Sequence, residues 1–224
     1  MTRKKKSFTT QAIEDYLKTI HVLQANDAKV STSAIASRMG VAQASVTGML
    51  KKLDDMKLVE YSPYQGVSLT ATGEKIALEV IRHHRLLELY LAQAMGYSWD
   101  KVHDEAEQLE HFISEEFEDK MAEALGQPTV DPHGSPIPSK DGVLPRLNCF
   151  ALSQSRPEQR VIVRMVSDHD PERLRYLAQI GIFPQTEILI LDVAPFNGPL
   201  HIQIKGQSHH LGKELADSIL VDHA

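Results

Sequence analysis

The chain has 224 residues, one cysteine, a formal net charge of −6 and 42% apolar residues. One cysteine excludes an internal disulfide framework, and neither a signal-peptide pattern nor an apolar run long enough to span a bilayer is found. We therefore expect a cytoplasmic protein with one large domain or two to three small ones.

Charge is distributed unevenly along the chain. Residues 1–57 carry ten Lys or Arg against five Asp or Glu, whereas residues 98–125 carry two Lys against ten Asp or Glu. This asymmetry favours a polyanionic partner for the front of the chain and a cationic partner for its middle. The alternative is that both stretches are simply solvated faces.

Residues 1–72 predict a winged helix–turn–helix. Regular apolar spacing predicts a first helix in TTQAIEDYLKTIHVLQA, and STSAIASRMG predicts a short helix that ends at Gly40. VAQASVTGMLKKLDDM predicts another helix after a tight connection, and LVEYSPYQGVSLTATG predicts two short strands joined by a turn. The order of these elements is that of a winged helix–turn–helix.

The second helix of such a motif lies in the major groove, where its N-terminal residues meet base edges. Glutamine suits an adenine edge, small side chains allow close approach, and hydroxyl groups and cations can bond bases or phosphates. The predicted DNA-binding residues are Arg38, Ala42, Gln43, Ala44, Ser45, Thr47, Lys51 and Lys52. The basic residues 3–6 would follow the DNA backbone or a minor groove. Alternatively, this face is the polar surface of a protein-interaction module.

Residues 73–140 predict a helical domain that holds metal. We expect a helix over residues 72–95, a second from about 98 to 117, and a short helix ending near 125. Four residues form i, i+4 pairs that share a helix face, namely His84 with Glu88 and His103 with Glu107. Antiparallel packing of the two helices would unite these pairs in one or two sites for divalent cations. Taken singly, each residue is more simply explained as a surface or packed side chain.

The last part of the chain predicts a small β-barrel. QPTVDPHGSPIPSKDGVLP indicates an irregular connector, and residues 141–156 are the predicted linker. Over residues 157–224, short β-rich runs (RVIVRMV, TEILILDV and LHIQIKG) surround one helical segment. The predicted fold class is therefore mainly α with small β parts.

Three motifs, AIEDYLKTI, RHHRLLELYL and VHDEAEQLEHFIS, surround the predicted winged helix in this order. Together they resemble the three-domain type of the diphtheria toxin repressor / manganese transport regulator family, metal-dependent repressors with an SH3-like last domain. The resemblance implies two metal sites and a homodimer. The primary site would be Asp15, Glu107, Glu110 and His111, and the ancillary site would be His84, Glu88, His103 and Asp170. Arg173 stands where the family has an amide ligand, which an arginine cannot replace.

Asp15 and Glu107 stand where the iron-responsive branch of this family has sulfur-bearing side chains. Because hard oxygen donors suit Mn(II), these two residues favour Mn(II) as the cofactor. We therefore expect a homodimeric, Mn(II)-dependent repressor of metal-uptake genes that binds a palindromic operator in double-stranded DNA. The alternatives are an Fe(II)-dependent repressor of iron-uptake genes and, in a different class, a carboxylate/histidine metalloenzyme. No HExxH motif is present, and we expect no enzymatic activity.

Overall fold

The computed structural model describes residues 9–25 and 28–224, so the basic residues 3–6 lie outside the described part. The described chain divides into two compact units. The first comprises the described residues up to His83 together with Pro138–Val143, and the second comprises His84–Ile137 with Leu144–Ala224. Most of the predicted helical domain, residues 84–137, thus falls in the same unit as the predicted barrel.

The first unit contains a winged helix–turn–helix, as predicted. Its elements are α1 (Gln11–Gln24), α2 (Thr32–Met39), α3 (Gln43–Asp55), β1 (Val59–Ser62), β2 (Gly66–Leu69) and the first part of α4 (Ala71–Met95). The Ser31 side chain accepts a hydrogen bond from the backbone amide of Ala34 and starts α2, which ends at Gly40 with φ +65°. Strands β1 and β2 pair antiparallel. Apolar side chains of all three helices and both strands share one core.

The second unit contains the rest of α4 and two short helices, α5 (Val102–Leu109) and α6 (Glu115–Ala124). The prediction of one helix over residues 98–117 is wrong. The chain turns after Leu109, and the Ser114 side chain accepts a hydrogen bond from the Phe117 amide, which starts a new helix. Glu110 and His111 therefore lie in a turn rather than on a helix face.

The stretch of residues 129–137, called the buried segment from here on, has neither helix nor strand in it apart from one isolated bridge. Most of its residues are nevertheless buried. Its ends are joined by a hydrogen bond from the Ile137 amide to the Thr129 carbonyl oxygen, and the Val166 amide donates to the His133 carbonyl oxygen. Gly134 has φ +89°, and a Cβ there would overlap the carbonyl oxygen of Arg164. The connector is irregular, as predicted, but the buried segment within it is packed.

The rest of the second unit is the SH3-like domain, with six antiparallel strands in the order β3-β8-β4-β5-β6-β7. Its elements are β3 (Phe150–Ala151), a 3-10 turn (Leu152–Gln154), β4 (Arg160–Val166), α7 (Pro171–Gln179), β5 (Glu187–Val193), β6 (Leu200–Ile204), β7 (Gln207–Leu211), α8 (Lys213–Asp217) and β8 (Ile219–His223). Alternating residues of the strands fill an apolar core. In the described part of the chain, no helix is both long and apolar enough to cross a membrane.

Candidate functional site

Helix α3 carries the predicted DNA-reading residues on its exposed side. Gln43, Ala44 and Ser45 form its exposed first turn, which follows the extended residue Ala42. The Thr47 hydroxyl donates to the Gln43 carbonyl oxygen at 3.0 Å. Farther along, Lys51 and Lys52 are exposed as well, and so is Arg38 at the end of α2. The opposite side of α3 fills the core with Val46, Leu50 and Leu53, so the helix can present only this polar face to DNA.

The metal-capable residues of the second unit surround His84 on α4. Its Nδ1 atom lies 2.6 Å from Glu110 Oε2. Its Nε2 atom lies 3.0 Å from Glu88 Oε1 and 3.1 Å from His103 Nδ1. Each ring nitrogen therefore faces a carboxylate oxygen, and His84 stands between residues that were predicted to form two separate sites.

On the Nδ1 side lies the Glu107 group, which consists of His84, Glu107 and Glu110. One ligand atom from each lies within 4.8 Å of the others. Glu110 is fully buried, the Glu107 side chain is 42% exposed, and His111 Nε2 is 3.4 Å from Glu110 Oε1. Three of the four predicted primary-site residues thus come together. The fourth, Asp15, belongs to α1 of the first unit, and its part in the site stays a prediction.

On the Nε2 side lies the His103 group, which consists of His84, Glu88, His103 and Asp168. The carboxylate here comes from Asp168, whose Oδ2 is 3.7 Å from His103 Nδ1. The placement of Asp170 in this site is therefore wrong. Asp170 accepts hydrogen bonds from the amides of Glu172 and Arg173 and caps α7 ahead of Pro171.

Arg173 stays apart from the His103 group. Its Nε atom is 3.0 Å from Asp170 Oδ2, and its guanidinium also bonds the Glu214 carboxylate. This side chain therefore braces the surface of the SH3-like domain.

A third set of metal-capable residues was missed in the sequence. This His133 group consists of Glu88, Asp131 and His133, all of them buried, with one ligand atom each within 4.8 Å of the others. Asp131 Oδ1 accepts from the amides of His133 and Ser135, so the carboxylate organises the turn of the buried segment. The only signal in the sequence is the pairing of Asp131 and His133 in DPHG, inside a proline-rich stretch that indicates a connector.

Charge is concentrated in this buried region. Burial raises the pKa of Glu88, but the charge of His84 and hydrogen bonds from nearby histidines hold it well below its ordinary value. Burial and the charge of Glu88 raise the pKa of Asp131 to about 7. Burial opposes the charged form of His133, yet the Glu88 carboxylate, 3.8 Å from its Nδ1 atom, raises the pKa of His133 to about 9. Carboxylates in such a setting need a positive partner.

The donor set fits a first-row divalent metal ion. Imidazole nitrogens and carboxylate oxygens are ligands that Mn(II) and Fe(II) accept, and none of these groups of described residues contains a cysteine. In addition, Glu88 Oε2, Asp131 Oδ2 and His133 Nδ1 are buried without a hydrogen-bond partner among the described residues. Polar atoms left in this state are costly, and a metal ion would satisfy them.

Comparisons with known proteins agree with this arrangement. The model of the N-terminal DNA binding domain of iron dependent repressors matches residues 8–67, that of their metal binding and dimerisation domain matches 70–139, and the FeoA domain matches 150–223. The diphtheria toxin repressor of Corynebacterium efficiens is 30% identical over 226 residues, which cover 93% of this chain and 94% of that protein.

Two solved structures extend the likeness to three dimensions. A manganese-dependent transcriptional repressor in complex with manganese is 38% identical, with a TM-score of 0.89 over 95% of this chain and 100% of the other. ScaR with bound Cd2+ is 31% identical, with a TM-score of 0.82 over 95% of this chain and 99% of the other. The chain therefore belongs to the diphtheria toxin repressor family of metal-dependent, DNA-binding transcriptional repressors.

Proposed function

We propose that this repressor responds to Mn(II) and turns off metal-uptake genes when the metal is plentiful. The observation that carries the proposal is the buried ligand set around His84, in which the donors are carboxylates and imidazoles. Oxygen-rich sites of this kind suit Mn(II), whereas softer sulfur donors favour later metals. The manganese complex of a relative that is 38% identical supports the same choice.

The response rests on the repulsion among acidic side chains. Glu107 and Glu110 lie on one side of His84, and the family resemblance adds the carboxylate of Asp15 from α1. A bound cation supplies the positive charge that lets these carboxylates stay together. Once they are held, α1 has a defined position, and the helix–turn–helix that follows it is oriented for DNA. Metal binding is thereby coupled to one conformation of the chain.

The DNA partner is a palindromic operator. A symmetric homodimer places two copies of α3 about one helical turn apart, which matches two half-sites of inverted sequence. Gln43 and Ser45 read base edges in each half-site, and Arg38, Lys51 and Lys52 hold the phosphates. Their exposure supports these roles.

Replacement of Glu107 by alanine tests the proposal. Because the side chain is 42% exposed, Glu107→Ala should change the free energy of unfolding by no more than about 0.5 kcal/mol. The Mn(II) concentration needed for half-maximal DNA binding should rise by at least roughly tenfold to a hundredfold, the range seen when residues that merely orient metal ligands are replaced. Fluorescence anisotropy of labelled operator DNA, titrated with Mn(II), measures this concentration.

Glu105→Ala is the matched control, because it removes the same charge from the same helix at a residue outside the three ligand groups. It should respond to Mn(II) as the wild type does. An unchanged response in Glu107→Ala would refute the role of the Glu107 group.

An Fe(II)-responsive repressor is the second candidate. The two matching repressor models describe iron dependent repressors, and Fe(II) accepts the same nitrogen and oxygen ligands. Anaerobic titrations of DNA binding with Mn(II) and Fe(II) in parallel distinguish the two metals. Metal-supported turnover without any effect on DNA affinity would instead indicate a metalloenzyme.

A further inference from the structure

We infer that His201, His210 and Asp192 form a Zn(II) site on the outer face of the SH3-like domain. The three residues lie on the neighbouring strands β6, β7 and β5. None of them belongs to the ligand groups described above. The inference goes beyond the proposed function, because it assigns a different metal ion to residues that have no part in the response to Mn(II).

The sheet places the three side chains in one row. His201 pairs with Asp192 across β5 and β6, and it pairs with His210 across β6 and β7. Residues directly opposite each other in neighbouring antiparallel strands share a face of the sheet, with Cβ atoms about 4.5–5.5 Å apart. Leu200 and Ile202, which flank His201 along β6, are buried in the core. Because side chains alternate along a strand, the row points away from that core.

The two imidazoles lie side by side. Their ring centroids are 4.4 Å apart, and the ring planes differ by 15°. Two nitrogens that bind one tetrahedral Zn(II) at about 2.0–2.1 Å lie roughly 3.3 Å from each other. Because the χ2 torsion of histidine has a broad energy well, small rotations of the two rings bring one nitrogen of each to this separation. His201 and His210 are therefore preorganised as a two-imidazole chelate.

Asp192 supplies a carboxylate beside the pair. The register between β5 and β6 shifts between Ile190 and Asp192, and this irregularity sets Asp192 opposite His201. Irregularities of this kind often re-aim a side chain. The Oδ1 atom accepts a hydrogen bond from the Val193 amide at 2.9 Å, which holds the side chain and leaves Oδ2 for a cation.

The donor set suits Zn(II) better than Mn(II). Two imidazoles and one carboxylate, with water in the fourth position, are a common tetrahedral set for Zn(II). Each of the three ligand groups described above contains two carboxylates, whereas this row contains one. Mn(II) binds most weakly in the divalent first-row series and favours oxygen donors. We therefore expect Zn(II) in the row and little Mn(II).

A bound ion would hold three strands together at one end of the sheet. β7 is the last strand in the order and pairs with β6 alone among the described strands. An ion shared by β5, β6 and β7 fixes this edge strand from the outer face. Because the ion binds the folded sheet, the free energy of unfolding should rise with the Zn(II) concentration.

The test compares Zn(II) binding by full-length chains that differ at one histidine. Equilibrium dialysis with elemental analysis gives the number of Zn(II) ions per chain, including any held by the groups around His84. His201→Gln and His210→Gln should each bind one ion fewer than the wild type. Both variants should fold, because neither side chain belongs to the buried core. With Mn(II) in place of Zn(II), all three chains should bind equal numbers of ions.

His223→Gln is the matched control, because His223 is an exposed histidine of the same domain that lies on β8, outside the row. It should bind as many Zn(II) ions as the wild type. Asp192→Asn keeps an oxygen that can accept from the Val193 amide but removes the negative charge. It should raise the Zn(II) concentration at which this site is half occupied by at least roughly tenfold.

Nuclear magnetic resonance of the imidazole groups locates the ion. Zn(II) should shift the ring resonances of His201 and His210 together, while those of His223 stay in place. Equal Zn(II) counts in the wild type, His201→Gln and His210→Gln would overturn the site, and so would a shift of only one of the two rings. An unchanged Zn(II) affinity in Asp192→Asn would refute the three-ligand set.

Discussion

The two units use polar side chains in opposite ways. In the first unit, the residues that we assign to DNA, such as Gln43, Ser45 and Lys51, are exposed on α3. In the second unit, Glu88, Glu110 and His133 are 0% exposed. A polar group on a surface is satisfied by water whatever its function, whereas a buried charge needs a specific partner. Burial of polar groups therefore indicates a ligand in the second unit, but exposure gives no evidence for or against DNA binding by the first.

The two units should also respond differently to mutation. Side chains on the exposed face of α3 can be replaced without disturbing the core, which is formed by the other side of the helix. In the second unit, function and stability share the same buried residues and the same backbone turn. Substitutions in the first unit should therefore be able to abolish DNA binding without a loss of stability. In much of the second unit, a substitution that weakens metal binding should also lower stability.

The largest effect should come from Gly134→Ala in the buried segment. An added Cβ would overlap the Arg164 carbonyl oxygen at a backbone φ of +89°. We expect a loss of unfolding free energy on the order of 3 kcal/mol, together with weaker Mn(II) binding because the turn carries Asp131 and His133. Urea unfolding and Mn(II) dialysis measure the two effects.

Gly126→Ala is the control for backbone strain alone. Gly126 also has a positive φ, +74°, but nothing lies within 4 Å of an added Cβ. The expected cost is about 1 kcal/mol, without a change in Mn(II) binding. Equal destabilisation by the two substitutions would show that the close packing of Gly134 is unimportant.

A smaller effect, confined to DNA, is expected from Gln43→Ala. Loss of one base contact should weaken binding to the preferred operator by about 1–3 kcal/mol and relax the choice of base at one position. Unfolding free energy and Mn(II) affinity should stay as in the wild type, because the side chain is exposed. The comparison variant Lys51→Ala should weaken binding to all sequences alike and reduce its salt dependence. A Gln43→Ala protein with unaltered sequence preference would contradict the assignment of α3.

The last expected effect is a modest loss of stability in Asp170→Ala, which removes the cap of α7. We expect a loss of about 1 kcal/mol in unfolding free energy and no change in Mn(II) affinity. Asp168→Asn should lower the Mn(II) affinity and leave the unfolding free energy unchanged, because the Asp168 carboxylate faces His103 and caps no helix. Calorimetric titration with Mn(II) and thermal unfolding, run on both variants, would reveal an exchange of roles if Asp170 were the ligand after all.

Local rules explain which features were predictable. Ser31 and Gly40 bound α2, apolar spacing reveals the buried side of α3, and alternation reveals the strands of the SH3-like domain. Spacing of i, i+4 likewise places His84 and Glu88 on one face of α4, and these two are in contact.

The remaining features depend on tertiary structure. Apolar periodicity continues past the turn at Glu110 and the serine cap of α6, so the second helix was predicted to reach residue 117, whereas α5 ends at Leu109. Asp168 and Asp170 differ by two residues, and only the position of α7 decides which one caps the helix. Asp131 and His133 lie in a segment without periodicity, and only the fold brings them to Glu88.

Selection of genomic DNA fragments by the purified full chain, done anaerobically with Mn(II), Fe(II) or a chelator, tests the central claim most directly. We predict that fragments sharing one palindromic site are recovered with Mn(II) and lost in chelator. Equal recovery with Fe(II) would mean that the supply of each metal in the cell, and not the protein, determines which one is bound. Recovery of the same fragments in chelator, or no enrichment under any condition, would contradict a repressor whose DNA binding is controlled by metal.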